Sequence, residues 1–364
     1  MQRMTSRERF ANALARRPVD QIPAVISPWD ATIERWTAEG HLAKDEDVIE
    51  HFDQDLRRGG WLNSIADLDF EEVVLEETEE TVLKLDGNGA SLRRHKLHNS
   101  TPEHVGFTVT DRASWQAHAR PHLVKVDRRH IPFEDYRKAR KLAAEQHRFF
   151  CWIGDGPFDQ MHPLCGYEHM LMGMALDPDW VSDMVQVYVD LTINHLEILF
   201  AEEGVPDGFF VIEDLGFKHR PFMSAAMCEQ ILEPGHKRLF DFAHSKGCPV
   251  IVHSCGFVEP LMPGLIRAGM DCLQAMEVKA GMDMPRLAEK FGDKIAFFGN
   301  IDARILISND LAKLEQEMLT KIPPVLERGG GYILHSDHSE PPQIDYETIL
   351  FFLNRGREIG SGSS

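Results

Sequence analysis

The fold class this sequence predicts is α/β: a (β/α)₈ TIM barrel with an antiparallel hairpin excursion near its N-terminus. Three observations lead there. Short apolar runs rich in β-branched and aromatic residues recur along the chain, and helical stretches separate most of them. Most runs end in polar or titratable residues, as strands do when their C-terminal ends gather at a barrel mouth. The chain, at 364 residues, can also bury one large core. A doubly wound open sheet has the same rhythm and is the alternative. The expected organisation is a single catalytic domain over 1–360, an excursion at 66–110 and a flexible tail at 361–364.

Taken in order, Thr5-Ser-Arg-Glu8 reads as a capping box, and an amphipathic helix with Phe10, Ala11 and Leu14 follows until Arg16-Arg17-Pro18. Residues 22–26 read as a short buried strand leading into Ser27-Pro28-Trp29-Asp30, and 32–37 and 45–52 as helices. The pattern then changes. Residues 72–76 and 81–85 suit strands, Asp86-Gly87-Asn88-Gly89 is a hairpin turn, and 91–97 returns. The acidic cluster at 76–80 reads as a solvated face. Residues 112–145 are mostly helical in pattern. The apolar run 149–153 ends in Gly154-Asp155-Gly156-Pro157, and a long helix is expected over 180–203. Run 208–212 ends in Glu213-Asp214-Leu215-Gly216, and a helix at 228–246 leads to the next strand. Run 270–276 is followed by Glu277, run 295–298 by Asn300 and Asp302, and run 332–334 by His335-Ser336-Asp337-His338.

Charge and cysteine usage exclude several functions. With 39 Lys and Arg against 58 Asp and Glu, the formal net charge is −19. That argues against nucleic acid or an anionic membrane as the main partner. The six cysteines form no Cys-x-x-Cys pair, which fits reduced thiols in a cytoplasmic protein rather than a disulfide framework. No apolar run approaches the roughly 18–20 residues of a membrane helix, and no signal-peptide core stands at the N-terminus.

The stretch from Cys248 to Gly256, Cys-Pro-Val-Ile-Val-His-Ser-Cys-Gly, is the chemical centre of the sequence. Its apolar part reads as a strand buried on both faces. The pleat puts His253 and Cys255, two positions apart, on one side at the strand end. An imidazole and a thiol so delivered are half of a tetrahedral zinc site. A buried thiol and a satisfied core histidine are the structural alternative.

Together, His253-x-Cys255-Gly256, the tips Glu213-Asp214-Leu215-Gly216 and Gly299-Asn300-Ile301-Asp302, and the segment Gly331 to His338 resemble the uroporphyrinogen decarboxylase superfamily over almost the whole chain. The resemblance implies a (β/α)₈ barrel and one of two chemistries: metal-free decarboxylation of a porphyrinogen, or zinc-dependent methyl transfer involving corrinoid proteins. The decarboxylase pattern places an arginine-rich loop after the first strand. Here that place is Ser27-Pro-Trp-Asp-Ala-Thr32, with no arginine and with an acid. Burying several substrate carboxylates there would be strongly unfavourable. The methyltransferase branch resembles the chain better. Its zinc pattern adds a third ligand at the tip of the final strand, which aligns with His338, while Asp337 and His335 compete for that role. Branch members that carry Cys at this position differ from the present chain.

The resemblance thus implies zinc on His253, Cys255 and His338, with a fourth position open to the substrate heteroatom. Asp214, Asp337 and Glu277 are the candidate acids for a leaving alkoxide or phenolate. Trp29, Asp155, Phe158, Met161, Glu213, Asn300, Asp302 and His335 are candidate substrate contacts. Each also has an ordinary structural use: helix capping for Glu213 and Asp214, turns for Asp155, Asn300 and Asp302, an ion pair with Lys279 for Glu277, and packing for the aromatics. The expected activity is transfer of a methyl group from a small methylated substrate, such as a methoxylated aromatic, to the Co(I) of a corrinoid (cobalamin). No Asp-x-His-x-x-Gly run of a corrinoid module is visible, so the corrinoid is expected on a partner protein, with the excursion contributing to its docking surface. A homodimer is compatible with this picture. Methylcorrinoid:thiol transfer, decarboxylation and non-catalytic small-molecule binding are the competing functions.

Overall fold

The computed structural model describes residues 3–97 and 102–361. Residues 362–364 of the expected tail lie outside the described residues. Seven parallel strands curl into one sheet in chain order: β1 (Leu56–Gly59), β2 (Phe149–Asp155), β3 (Gly208–Ile212), β4 (Val250–Ser254), β5 (Cys272–Ala275), β6 (Ala296–Gly299) and β7 (Tyr332–Ile333). Segment 22–26 fills the remaining gap. Val25 N–H donates to the Leu334 carbonyl at 2.9 Å, Leu334 N–H to the Pro23 carbonyl at 2.8 Å, and Asp55 N–H to the Ala24 carbonyl at 3.1 Å. Its regular pairing is reduced to single bridges, because Pro23 and Pro28 carry no N–H to extend a ladder. Side chains complete it: the Ala24 and Ile26 N–H groups donate to Asp55 Oδ2 (2.8 Å) and Gln54 Oε1 (3.0 Å).

The first helix, Ser6–Leu14, begins with the expected reciprocal Thr5–Glu8 capping box. It plugs the bottom of the barrel. Phe10 stacks on Phe149 with ring centroids 4.9 Å apart and meets Phe298 edge-on at 6.0 Å. Arg9, on the same helix, donates to Asp55 Oδ1 at 2.7 Å, with the side chains 5% and 1% exposed. One carboxylate thus joins the plug, the closing segment and the start of β1.

Side chains alternate along each strand. Leu56, Phe149, Cys151, Phe210, Ile251, Cys272, Ala296, Phe298 and Ile333 point inward and form a dry inner cluster with Phe10. Phe150, Trp152, Phe209, Val211, Val250, Val252 and Leu273 belong to the outer core against the helices.

Strand β1 departs from the sequence expectation, which had no strand there. Leu-Arg-Arg-Gly reads as polar, yet each arginine has a place. Arg57 points outward to Asp47 and to Gln146 Oε1 (2.8 Å), and Arg58 points into the barrel. The excursion is a four-stranded antiparallel sheet, Val73–Glu77, Thr81–Leu85, Ala90–His95 and Glu103–Phe107, one strand more than the pattern suggested. It packs on helix Pro157–Leu176 where Phe107 covers Gly166, a residue with φ of 71°. In the acidic stretch, Glu76 and Glu77 pair with Arg93 and Lys96. The expected helical stretch 112–145 is broken into short pieces before the helix Phe133–Glu145, with Pro121 and Pro132 among them. Among the described residues no helix is long and apolar enough to cross a membrane.

Replacing Asp55 with Ala leaves the Arg9 guanidinium buried beside an unpaired backbone N–H. The expected loss is about 3–5 kcal/mol of unfolding free energy, read from the denaturant midpoint, with Asp20→Ala costing less because Asp20 is more exposed.

Candidate metal centre and barrel mouth

Strands β3 and β4 are neighbours, with Ile212 opposite His253. Their tips run on into Asp214 and Cys255. Gly216 and Gly256 let the two following loops touch backbone to backbone: a Cβ on Gly216 would fall 2.2 Å from the Cys255 carbonyl oxygen. Gly256 has φ of +73° and would meet the Gly216 carbonyl carbon at 2.4 Å. This contact sets Asp214 beside Cys255. Asp214 Oδ1 accepts the Cys255 N–H at 2.7 Å and lies 3.5 Å from His253 Nε2. Cys255 Sγ is 3.4 Å from the same nitrogen. One donor atom from each of Asp214, His253 and Cys255 lies within 4.8 Å of the others.

Gln274, across from His253 on β5, fixes the imidazole. Its Oε1 accepts from Nδ1, which leaves the Nε2 lone pair facing Cys255 and Asp214. Burial pushes the Cys255 thiol far up, and the carboxylates of Asp214 and Glu277 push it further. A divalent cation at this point would reverse that balance, since a coordinated thiol is deprotonated.

His253 and Cys255 of the trio line a cavity of about 530 Å³ at the C-terminal ends of the strands. Its walls include Ser27, Arg58, Trp61, Phe210, Gln274 and His335, and His338 stands at its rim. His335 is buried; desolvation depresses it to about 3, so its imidazole is neutral. Its Nε2 lies 3.3 Å from Ser27 Oγ.

The uroporphyrinogen decarboxylase (URO-D) family matches this sequence over residues 150–359. The chain belongs to that family. A search of curated proteins finds no match. Among solved structures, a methyltransferase from Methanosarcina mazei superposes over 98% of this chain and 99% of its own, with TM-score 0.65 and 15% identity. At that identity the likeness is one of fold. A Xaa-Pro dipeptidase with bound methionine reaches only TM-score 0.29 at 12% identity, over 48% of this chain and 46% of its own.

In this URO-D family barrel the other candidates divide by what their side chains hold. Glu213 is fully buried below the mouth. Its carboxylate accepts the N–H groups of Phe158 (3.2 Å) and Asp159 (3.3 Å) at the start of helix Pro157–Leu176 and meets His236 Nε2. Asp337 accepts Val278 N–H and Ala303 N–H, both at 2.8 Å, so both oxygens are engaged by backbone. Glu277 accepts Gly256 N–H at 2.8 Å and pairs with Lys279 at 3.0 Å. Asn300 donates to the Met276 and Met282 carbonyls, and Asp302 caps helix Ala303–Ile307. Phe158 and Met161 lie wholly in the outer core, and Trp29 is half exposed at the start of helix Asp30–Ala38. Asp155 accepts the Trp61 indole N–H at 2.9 Å, and burial raises its carboxyl to about 7. His338 lines the cavity but stands outside the trio.

Gln274, Arg58 and Trp61 were not singled out from the sequence. Gln274 had a signal, as the polar residue inside Cys-Leu-Gln-Ala.

Cys255 is partly exposed, while the other five cysteines are buried. In metal-free protein, iodoacetamide at pH 8 is expected to label Cys255 first and slowly. Asp214→Asn removes a negative charge beside the thiol and should speed that labelling, as followed by mass spectrometry of the Cys255 peptide.

Proposed function

We propose that this chain is a zinc-dependent methyltransferase that moves a methyl group from a small methylated substrate, such as a methoxylated aromatic, to the cobalt of a corrinoid carried on a separate protein. The observation that carries the proposal is the Asp214–His253–Cys255 group at the mouth of a URO-D family barrel. The donor set fits the metal. Thiol and imidazole together favour zinc among the common divalent ions, and a carboxylate completes three ligands with one position left open. When bound, zinc supplies Lewis acidity to the heteroatom that parts from the methyl group.

The remaining work falls to the chain's own residues. His253 enters with Nε2 free because Gln274 holds Nδ1. Cys255 would hold the metal as a thiolate. Glu277 holds the loop behind Cys255, and Asp337 clasps the loops after β5 and β6. Asp214 and His338 exchange the roles expected from sequence: the carboxylate is the third ligand, and the exposed imidazole at the rim carries the proton for the leaving oxygen. Phe210 and Ile212 give the cavity an apolar stretch of wall near His253.

Decarboxylation of a porphyrinogen fits the mouth less well. Arg58 is the cationic side chain other than histidine among the described residues lining this cavity, and a polycarboxylate needs several.

The test is elemental analysis of protein purified without added metal. About one zinc per chain is expected, as for a single catalytic site, lost in His253→Ala, Cys255→Ala and Asp214→Ala and retained in His338→Ala. The same three variants should fail to methylate cob(I)alamin from methoxylated aromatics, while His338→Ala is slowed about 10²-fold or more. Zinc lost in His338→Ala and kept in Asp214→Ala would return the ligand role to His338. No metal in the wild type, even after zinc addition, overturns the proposal.

A further inference from the structure

The two arginines of β1 have opposite fates. Arg57, facing the outer layer, is paired with Asp47 and Gln146. Arg58, one residue on, faces the barrel interior and has no ion pair among the described residues. Its hydrogen bond is a single one at 3.3 Å, to Ser27 Oγ. Its guanidinium carbon lies 4.8 Å from the centroid of the Phe210 ring, stacked on its face. It lines the cavity together with His253, Cys255 and His335.

Its surroundings do not neutralise it. Asp135, which lines the same cavity, accepts the Gly60 N–H at 2.7 Å, and Glu340 accepts Ser336 Oγ–H at 2.7 Å and the Ser27 N–H while burial raises it to about 7. His335 is neutral. Burial lowers the arginine's own pKa, so an arriving anion relieves a desolvated charge. In a chain of net charge −19, Arg58 is the one arginine or lysine among the described residues lining this pocket. Phe210 also measures its distance from the trio. The ring that carries Arg58 lies 6.4 Å, centroid to centroid, from the His253 ring, so a single small molecule can span the two.

We infer that Arg58 is the anion anchor of this mouth, and that the methylated substrate is a small carboxylate. Its charged end lies on Arg58 and its methylated heteroatom at Asp214, His253 and Cys255. A planar carboxylate matches the guanidinium fork in two parallel hydrogen bonds. Arg58 is a specificity residue in this account and takes no part in the bond that breaks. The inference rests on reading the cavity as the substrate site of a methyl transfer.

Calorimetric titration tests it without turnover. The probes are 3- and 4-methoxybenzoate and methoxyacetate, each beside its neutral amide, on wild type, Arg58→Gln and Arg58→Lys. The wild type should bind at least one acid about ten- to a hundredfold more tightly than its amide. Arg58→Gln should lose that preference, and Arg58→Lys should retain part of it. The acid–amide comparison on wild type needs no variant to fold. Equal binding of acid and amide, no binding of any acid, or an unchanged preference in a folded Arg58→Gln overturns the inference. Acid binding through Arg58 in a protein that takes up no zinc and transfers no methyl would keep the anchor and sink the methyltransferase reading. Methyl transfer from neutral ethers at full rate in Arg58→Gln would do the reverse.

Discussion

The pleat of a closed parallel barrel is the constraint on which this molecule depends. Each strand sends alternate side chains inward, so a strand that seals the interior at one position reaches the mouth two positions later. Leu56 leads to Arg58, Ile251 to His253, Cys272 to Gln274 and Ile333 to His335. The lower residue of each pair is apolar and belongs to the inner cluster that Phe10 of the first helix joins. The upper one is polar and lines the cavity. Stability and chemistry are therefore read from the same strands at a fixed offset, and a one-residue slip would place every cavity-lining group in the outer core.

The carboxylates of the mouth obey a second constraint. Loops that cross strand ends leave backbone N–H groups unpaired, and a buried N–H without an acceptor is costly. Glu213, Glu277, Asp337 and Glu340 each take such N–H groups. Their charges serve the shape of the site. Asp214 does both jobs. It receives the Cys255 N–H and still presents an oxygen beside the thiol and the imidazole. Strand-tip carboxylates thus look alike in sequence yet differ in what else they hold: Glu277 also pairs with Lys279 and Glu340 also accepts Ser336 Oγ–H, whereas Asp214 faces the thiol and the imidazole.

Much of this was legible beforehand. The barrel followed from apolar runs ending in titratable residues, and His253 and Cys255 followed from their i, i+2 spacing. What escaped has physical reasons. Strand β1 carries two arginines, one neutralised by Asp47 and the other facing a cavity, and neither fact is local in sequence. Segment 22–26 closes the barrel through Asp55 and Gln54 side chains where proline interrupts the ladder. Asp214 meets Cys255 because two glycines distant in sequence let their backbones touch. Phe158 and Met161 follow a strand tip yet face the outer core, because the helix they begin turns that face away from the mouth.

Arg58 and the Asp214–His253–Cys255 group define two ends of one cavity with opposite electrostatic demands. The trio gathers a carboxylate, an imidazole and a thiol whose proton a bound cation would displace, a donor set suited to a cation. The arginine leaves a positive charge without a counterion, and so calls for an anion. Phe210 touches both ends: the guanidinium carbon lies 4.8 Å from its ring centroid and the His253 ring 6.4 Å from it. Phe210, beside both the guanidinium and the His253 ring, is thus the wall residue at which the two ends of the proposed site meet.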